Sequence, residues 1–149
     1  MKLKLLAIGN VLMEDDGIGV VLAKELMNEL LELGLTVVIG ETDLDYSLSR
    51  ISKKDYLIVL DATAMVPCGA IVSLPLEAAE TIHKDETQHS LSFLHICRLY
   101  YPGIQGILLG IGINSCSCHY GISEQLYQET EEIKRILLQR IIECIQEVQ

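Results

Sequence analysis

The sequence predicts an α/β fold, a three-layer α/β/α sandwich around a mainly parallel five-stranded sheet with one strand antiparallel. Three observations carry this prediction. Short apolar runs alternate with segments of helical spacing along almost the whole chain. The strand-like runs are apolar at successive positions, as strands covered on both faces must be. The third and fourth runs are joined only by a short Pro/Gly link, too short to hold the helical crossover that parallel neighbours need.

Leu3 to Ile8 is an apolar run bounded by Gly9-Asn10 and reads as the first strand. From Gly17 onward Ile18, Val21, Leu22, Leu26, Leu30 and Leu33 recur at helical spacing, and Gly34 supplies the stop. Leu35 to Ile39 is the second strand. Tyr46 to Ser52 has room for one or two helical turns, and Asp55 to Leu60 is the third strand, closed by Asp61. Ala70 to Leu74, after Pro67-Cys68-Gly69, is the fourth. The polar stretch His83 to His89 reads as a loop. Ser90 is placed to cap a helix that runs to about Tyr100, with Leu91, Leu94 and Leu99 inward, and Pro102-Gly103 ends it. Ile104 to Ile113 is the fifth strand. Ser123 caps the last helix, whose apolar positions include Leu126, Ile133, Ile136, Leu137, Ile141 and Ile145.

The chain has 149 residues, half of them apolar, which suits one domain with a sizeable core. It shows no fixed-period repeat and no linker-like stretch. The formal charge is −10, and Lys and Arg are few and scattered, which argues against a nucleic-acid partner. The start, MKLKLLAIGN, imitates a signal peptide, but acids follow at once and no cleavage site appears. No run has the length of a membrane span. The expectation is a cytoplasmic monomer. Cys68, Cys97, Cys116, Cys118 and Cys144 form no CxxC or zinc spacing and read as reduced, buried thiols. The run Cys116-Ser117-Cys118-His119 is a weaker candidate for a soft metal.

In open α/β sheets, sites form outside the carboxyl ends of the strands. Three candidates fall there: Asp16 after the first strand, Asp61 at the end of the third, and His89 beside the Ser90 helix start. Two carboxylates and an imidazole suit a borderline divalent ion such as nickel or zinc. Such an ion would also relieve the repulsion within Glu14-Asp15-Asp16. Each candidate has a purely structural reading as well. Asp16 serves equally as a cap for the helix from Gly17, Asp61 can hold a neighbouring turn, and His89 competes with His83 and His95. His95 reads as packing against the core edge, while Glu14 and Asp15 read as solvated. The GxGxxG, P-loop and GxSxG signatures are absent.

The run Gly9-Asn10-Val11-Leu12-Met13-Glu14-Asp15-Asp16-Gly17-Ile18-Gly19 resembles the N-terminal signature of the hydrogenase maturation proteases. Asp61 in LIVLDA and His89 in ETQHSLS resemble the later acidic and histidine positions of that family. Gly110-Ile111-Gly112 and Gly121-Ile122-Ser123-Glu124 are similar to its closing pattern. The resemblance spans nearly the whole chain in order and length. It implies an endopeptidase whose metal-binding and catalytic residues are Asp16, Asp61 and His89. It further implies that the nickel arrives with the substrate, the precursor of a [NiFe] hydrogenase large subunit, whose C-terminal extension is removed. Zinc or cadmium could take the place of nickel. Two stretches depart from the family pattern: Gly40-Glu41-Thr42-Asp43, where many members carry a Gly-Thr turn, and Cys116 to His119, where members often carry proline. A non-cleaving binding module for hydrogenase subunits and a metal-dependent small-molecule hydrolase are the alternatives.

Overall fold

The computed structural model describes residues 1–82 and 88–149, and the side chains of 1–79 and 93–149. Its five strands are β1 (Leu3–Ile8), β2 (Thr36–Glu41), β3 (Tyr56–Thr63), β4 (Ile71–Pro75) and β5 (Gln105–Gly112). They form one sheet in the order β2-β1-β3-β5-β4. All neighbours are parallel except β4 and β5, which pair antiparallel from Ile71↔Ile111 to Pro75↔Ile107. The short link between β3 and β4 therefore does what its length predicts.

The helices are α1 (Ile18–Glu25), α2 (Met27–Glu32), α3 (Leu44–Ser49), α4 (Leu76–Ile82), α5 (Gln88–Tyr100) and α6 (Glu124–Val148). Strand side chains alternate between two cores because successive Cβ atoms point to opposite faces. Ile58, Leu60 and Ala62 of β3 meet the side covered by α1, α2 and α6. Leu57 and Val59 meet the side covered by α5 and the start of α4. Burying each such leucine or isoleucine stabilises the fold by about 1.5–3 kcal/mol. Among the described residues no helix is long and apolar enough to cross a membrane.

Several local expectations are corrected. The helix expected from Gly17 to Leu33 is two helices meeting at Leu26, where φ is −97° and ψ is 10°. The Leu26 N–H to Leu22 carbonyl and Leu30 N–H to Leu26 carbonyl bonds carry the ladder through the joint. A helix, α4, stands where none is expected. Its small Ala78 and Ala79 give little apolar signal, although Leu76 and Ala79 are buried. Ser90 lies inside α5, which already starts at Gln88, so it is not the residue before the helix. Among the described side chains of α5 the buried ones are Phe93, Leu94 and Cys97, while Leu99 and His95 are exposed, because they fall off that helical stripe; the side chain of Leu91, expected inward, lies outside the described residues. Part of the loop expected from His83 lies outside the described residues. Ser123 does cap α6, its hydroxyl accepting the Leu126 N–H at 3.3 Å.

Candidate active site

The strand order reverses at β1: the chain leaves β1 for β2 on one side, then crosses back to β3 on the other. The crevice outside the carboxyl ends of β1 and β3 is thus the switch point of the sheet, where ligands bind in this architecture. The acidic turn fills it. Residues Glu14–Gly17 form a 3-10 turn that packs against β3, and α1 follows directly. Two glycines permit this seating. A Cβ on Gly9, which has φ +142°, would lie 2.2 Å from the Asp16 carbonyl oxygen. A Cβ on Gly19 would lie 2.7 Å from the carbonyl oxygen of Leu60, the residue before Asp61.

Asp16 is buried, with 5% of its surface exposed. Its Oδ2 accepts the Asn10 N–H at 2.8 Å, tying the turn back to the end of β1. The N-cap of α1 is Gly17, with no side-chain cap. Asp61 is not at the end of its strand as expected. β3 runs two residues further, to Thr63, because Asp61, Ala62 and Thr63 stay paired with Gly110, Ile111 and Gly112 of β5. Asp61 is 1% exposed, and its Oδ1 accepts the Ala62 N–H at 2.8 Å. Alternation along β3 puts it on the α5 side of the sheet, with Leu57 and Val59. His89 is the second residue of α5, and its side chain lies outside the described residues. Among the described residues no three His, Cys, Asp or Glu gather as a metal-holding group.

Asp15 overturns its solvated reading. It is fully buried and accepts four hydrogen bonds: Ser123 N–H on Oδ1 at 2.6 Å, and Asn114 N–H, Ser115 N–H and the Ser123 hydroxyl on Oδ2 at 2.8 to 3.0 Å. The carboxylate thus binds the loop after β5 and the start of α6 to the turn after β1. Its partners lie 99 to 108 residues away, so no local pattern announces them. The only hint is that Ser123 reads as a cap. Glu14 is half-buried rather than solvated and sits in the left-handed region, at φ 50°. That conformation costs a non-glycine residue about 1–2 kcal/mol. Its N–H donates to the His119 carbonyl at 2.8 Å and its Oε2 accepts the Ser115 hydroxyl at 2.7 Å, which hold it there.

No protein-family model matches the chain, and no curated protein matches its sequence. Solved structures do match. The hydrogenase maturating endopeptidase HybD from E. coli superposes with a TM-score of 0.79 at 20% identity, over 99% of this chain and 94% of that one. The [NiFe] hydrogenase maturation protease HybD from Thermococcus kodakarensis gives 0.69 at 21%, over 92% and 97%. The endopeptidase HycI from Escherichia coli gives 0.70 at 22%, over 94% and 88%. The chain has the fold of the hydrogenase maturation endopeptidases.

On this endopeptidase fold, the two stretches that depart from the family's sequence pattern both touch the site's rim. Glu41, at φ 51°, ends β2 beside a register shift, and its carbonyl accepts the Gly9 N–H at 3.0 Å. Asp43 caps α3 by accepting the Tyr46 N–H at 2.9 Å. The Cys116–His119 run lies over the acidic turn, with His119 bridged to Met13. All five cysteines are free thiols, but Cys116 and Cys118 are exposed, against the expectation of burial. Cys68 is half-buried near the turn, and burial, then the charges of Asp15 and Glu129, push its thiol up.

Proposed function

We propose that this chain is an endopeptidase that removes the C-terminal extension of a nickel-loaded [NiFe] hydrogenase large-subunit precursor. The observation that carries the reading is a pair of buried acids at the switch point of an endopeptidase fold, Asp16 in the turn after β1 and Asp61 within the neighbouring β3. The two HybD structures that share the fold are named as hydrogenase maturation enzymes, which supplies the substrate class.

The three residues take distinct parts. Asp16 and Asp61 offer oxygen ligands, each oriented by a backbone N–H, from Asn10 and Ala62. His89 offers nitrogen. Topology supports its part: Arg98, near the end of α5, lines a cavity with Tyr56 and Gln105 at the amino ends of β3 and β5. A helix of thirteen residues spans about 20 Å, so α5 starts toward the carboxyl edge. A site of three protein ligands leaves coordination positions for substrate groups and water. The substrate's nickel polarises the scissile carbonyl or a water, and one of the two carboxylates accepts the proton that the attacking water gives up.

The test is the mass of a nickel-loaded precursor before and after incubation with the protein. Loss of a C-terminal peptide is expected. Asp16→Asn, Asp61→Asn and His89→Ala are each expected to slow that loss by about 100-fold or more while leaving the circular dichroism spectrum unchanged. A stable complex without cleavage would favour the binding module instead. Turnover of a small ester or amide without any precursor would favour the small-molecule hydrolase. Normal cleavage by all three variants would overturn the ligand assignment.

A further inference from the structure

Nothing in the processing reaction uses the cysteine pair above the acidic turn. We infer that Cys116 and Cys118 are a reversible dithiol–disulfide site whose oxidation is felt by the turn that carries Asp16. The two thiols differ from the other three cysteines in access. Both are exposed, whereas Cys97 and Cys144 are buried and Cys68 is half-buried. Burial pushes the Cys97 thiol up to about 11 and raises Cys144 and Cys68 as well, so those three are poorer sources of thiolate.

Reach is set by the spacing. Two residues of chain span at most about 7 Å between Cα atoms, and a disulfide needs roughly 4.4–6.8 Å. The pair lies beyond the end of β5 in neither strand nor helix, so no ladder holds it at full extension. The oxidant is a low-molecular-weight disulfide. One thiolate attacks it, forming a mixed disulfide and releasing one small thiol. The second thiolate then attacks the protein-bound sulfur, closing the Cys116–Cys118 bond and releasing the second small thiol. The protein loses two protons and two electrons, and the small disulfide gains them. A bond closed across one residue and open to solvent belongs to the labile, readily reduced class.

The coupling follows from where the loop is fastened. On one side of the pair, Ser115 N–H donates to Asp15 Oδ2 at 2.9 Å, and its carbonyl accepts the Asp15 N–H at 2.9 Å. On the other side, His119 N–H donates to the Leu12 carbonyl at 3.0 Å, and the His119 carbonyl accepts the Glu14 N–H at 2.8 Å. Closing the ring between these fastenings pulls on residues 12–15, the segment that leads into Asp16.

The experiment needs no substrate and so is independent of the processing reading. The native protein is incubated with oxidised glutathione, then analysed by intact mass, peptide mapping and amide hydrogen exchange. The expected result is a loss of two hydrogens, a bond mapped to Cys116–Cys118, and changed exchange at the Glu14 and His119 amides that dithiothreitol reverses. Cys116→Ser, an exposed and structurally mild change, is expected to give a stable glutathione adduct on Cys118 and no internal bond. Two separate glutathione adducts on the wild-type protein, or a bond between two copies of the chain, would overturn the site. A correctly mapped bond with unchanged amide exchange would overturn the coupling.

Discussion

The two ends of the sheet each bury an aspartate, and they stabilise it by different means. At the amino end Asp55, 5% exposed, meets the Lys4 ammonium at 2.9 Å and accepts the Ser52 N–H at 2.7 Å. Lys4 also donates to the Arg50 carbonyl. At the carboxyl end Asp15 is held by three backbone N–H groups and one hydroxyl, all neutral donors. A counterion neutralises charge but imposes little geometry. Four fixed donors hold a carboxylate in one orientation and fasten two segments to it. The end that carries the candidate site is therefore the one built as a rigid clasp, with Asp16 as the next residue.

Changing Asp15 tests that contrast most severely. Asp15→Ala leaves four donors without their acceptor, two of them on buried Ser123, and is expected to cost at least about 3 kcal/mol in urea unfolding. Asp15→Asn keeps one acceptor oxygen and is expected to cost about half as much. The amino end should respond less. Lys4→Met leaves Asp55 buried beside no ammonium, and an effect of about 2 kcal/mol is expected, since Lys4 is itself partly exposed. The double variant Lys4→Met/Asp55→Asn removes the ion pair but keeps an acceptor for Ser52. It should unfold within about 1 kcal/mol of the unaltered protein. No such compensating pair exists for Asp15, because three of its donors are main chain. Equal recovery in a double variant of Asp15 and Ser123 would break the contrast. The smallest effect is expected at the exposed Glu132–Arg135 pair, where Glu132→Gln should leave the urea midpoint unmoved although the arginine holds that carboxyl below its usual range.

Much of the fold is legible from short-range pattern. The strand from Leu3 to Ile8, the antiparallel pairing of β4 and the Ser123 cap all follow from signals confined to a few residues. Where such signals are faint or misleading, reading along the chain goes astray. Ala78 and Ala79 give α4 too little apolar contrast, and an aspartate in a strand looks like its end when pairing to β5 in fact carries it onward. That Asp16 follows the first strand and that Asp61 lies toward the carboxyl end of the third are also legible. The division of labour inside Glu14-Asp15-Asp16 is not.

By itself, then, the sequence determined the alternation of strand and helix, the antiparallel edge and the acids at the switch point, because periodicity and link length are written into neighbouring residues. The tertiary structure alone decided which of three adjacent carboxylates is the buried clasp, which leans on Ser115 and which borders the crevice. The physical reason is distance along the chain. A carboxylate's role is set by the donors around it, and those of Asp15 come from the end of β5 and the cap of α6, a hundred residues downstream.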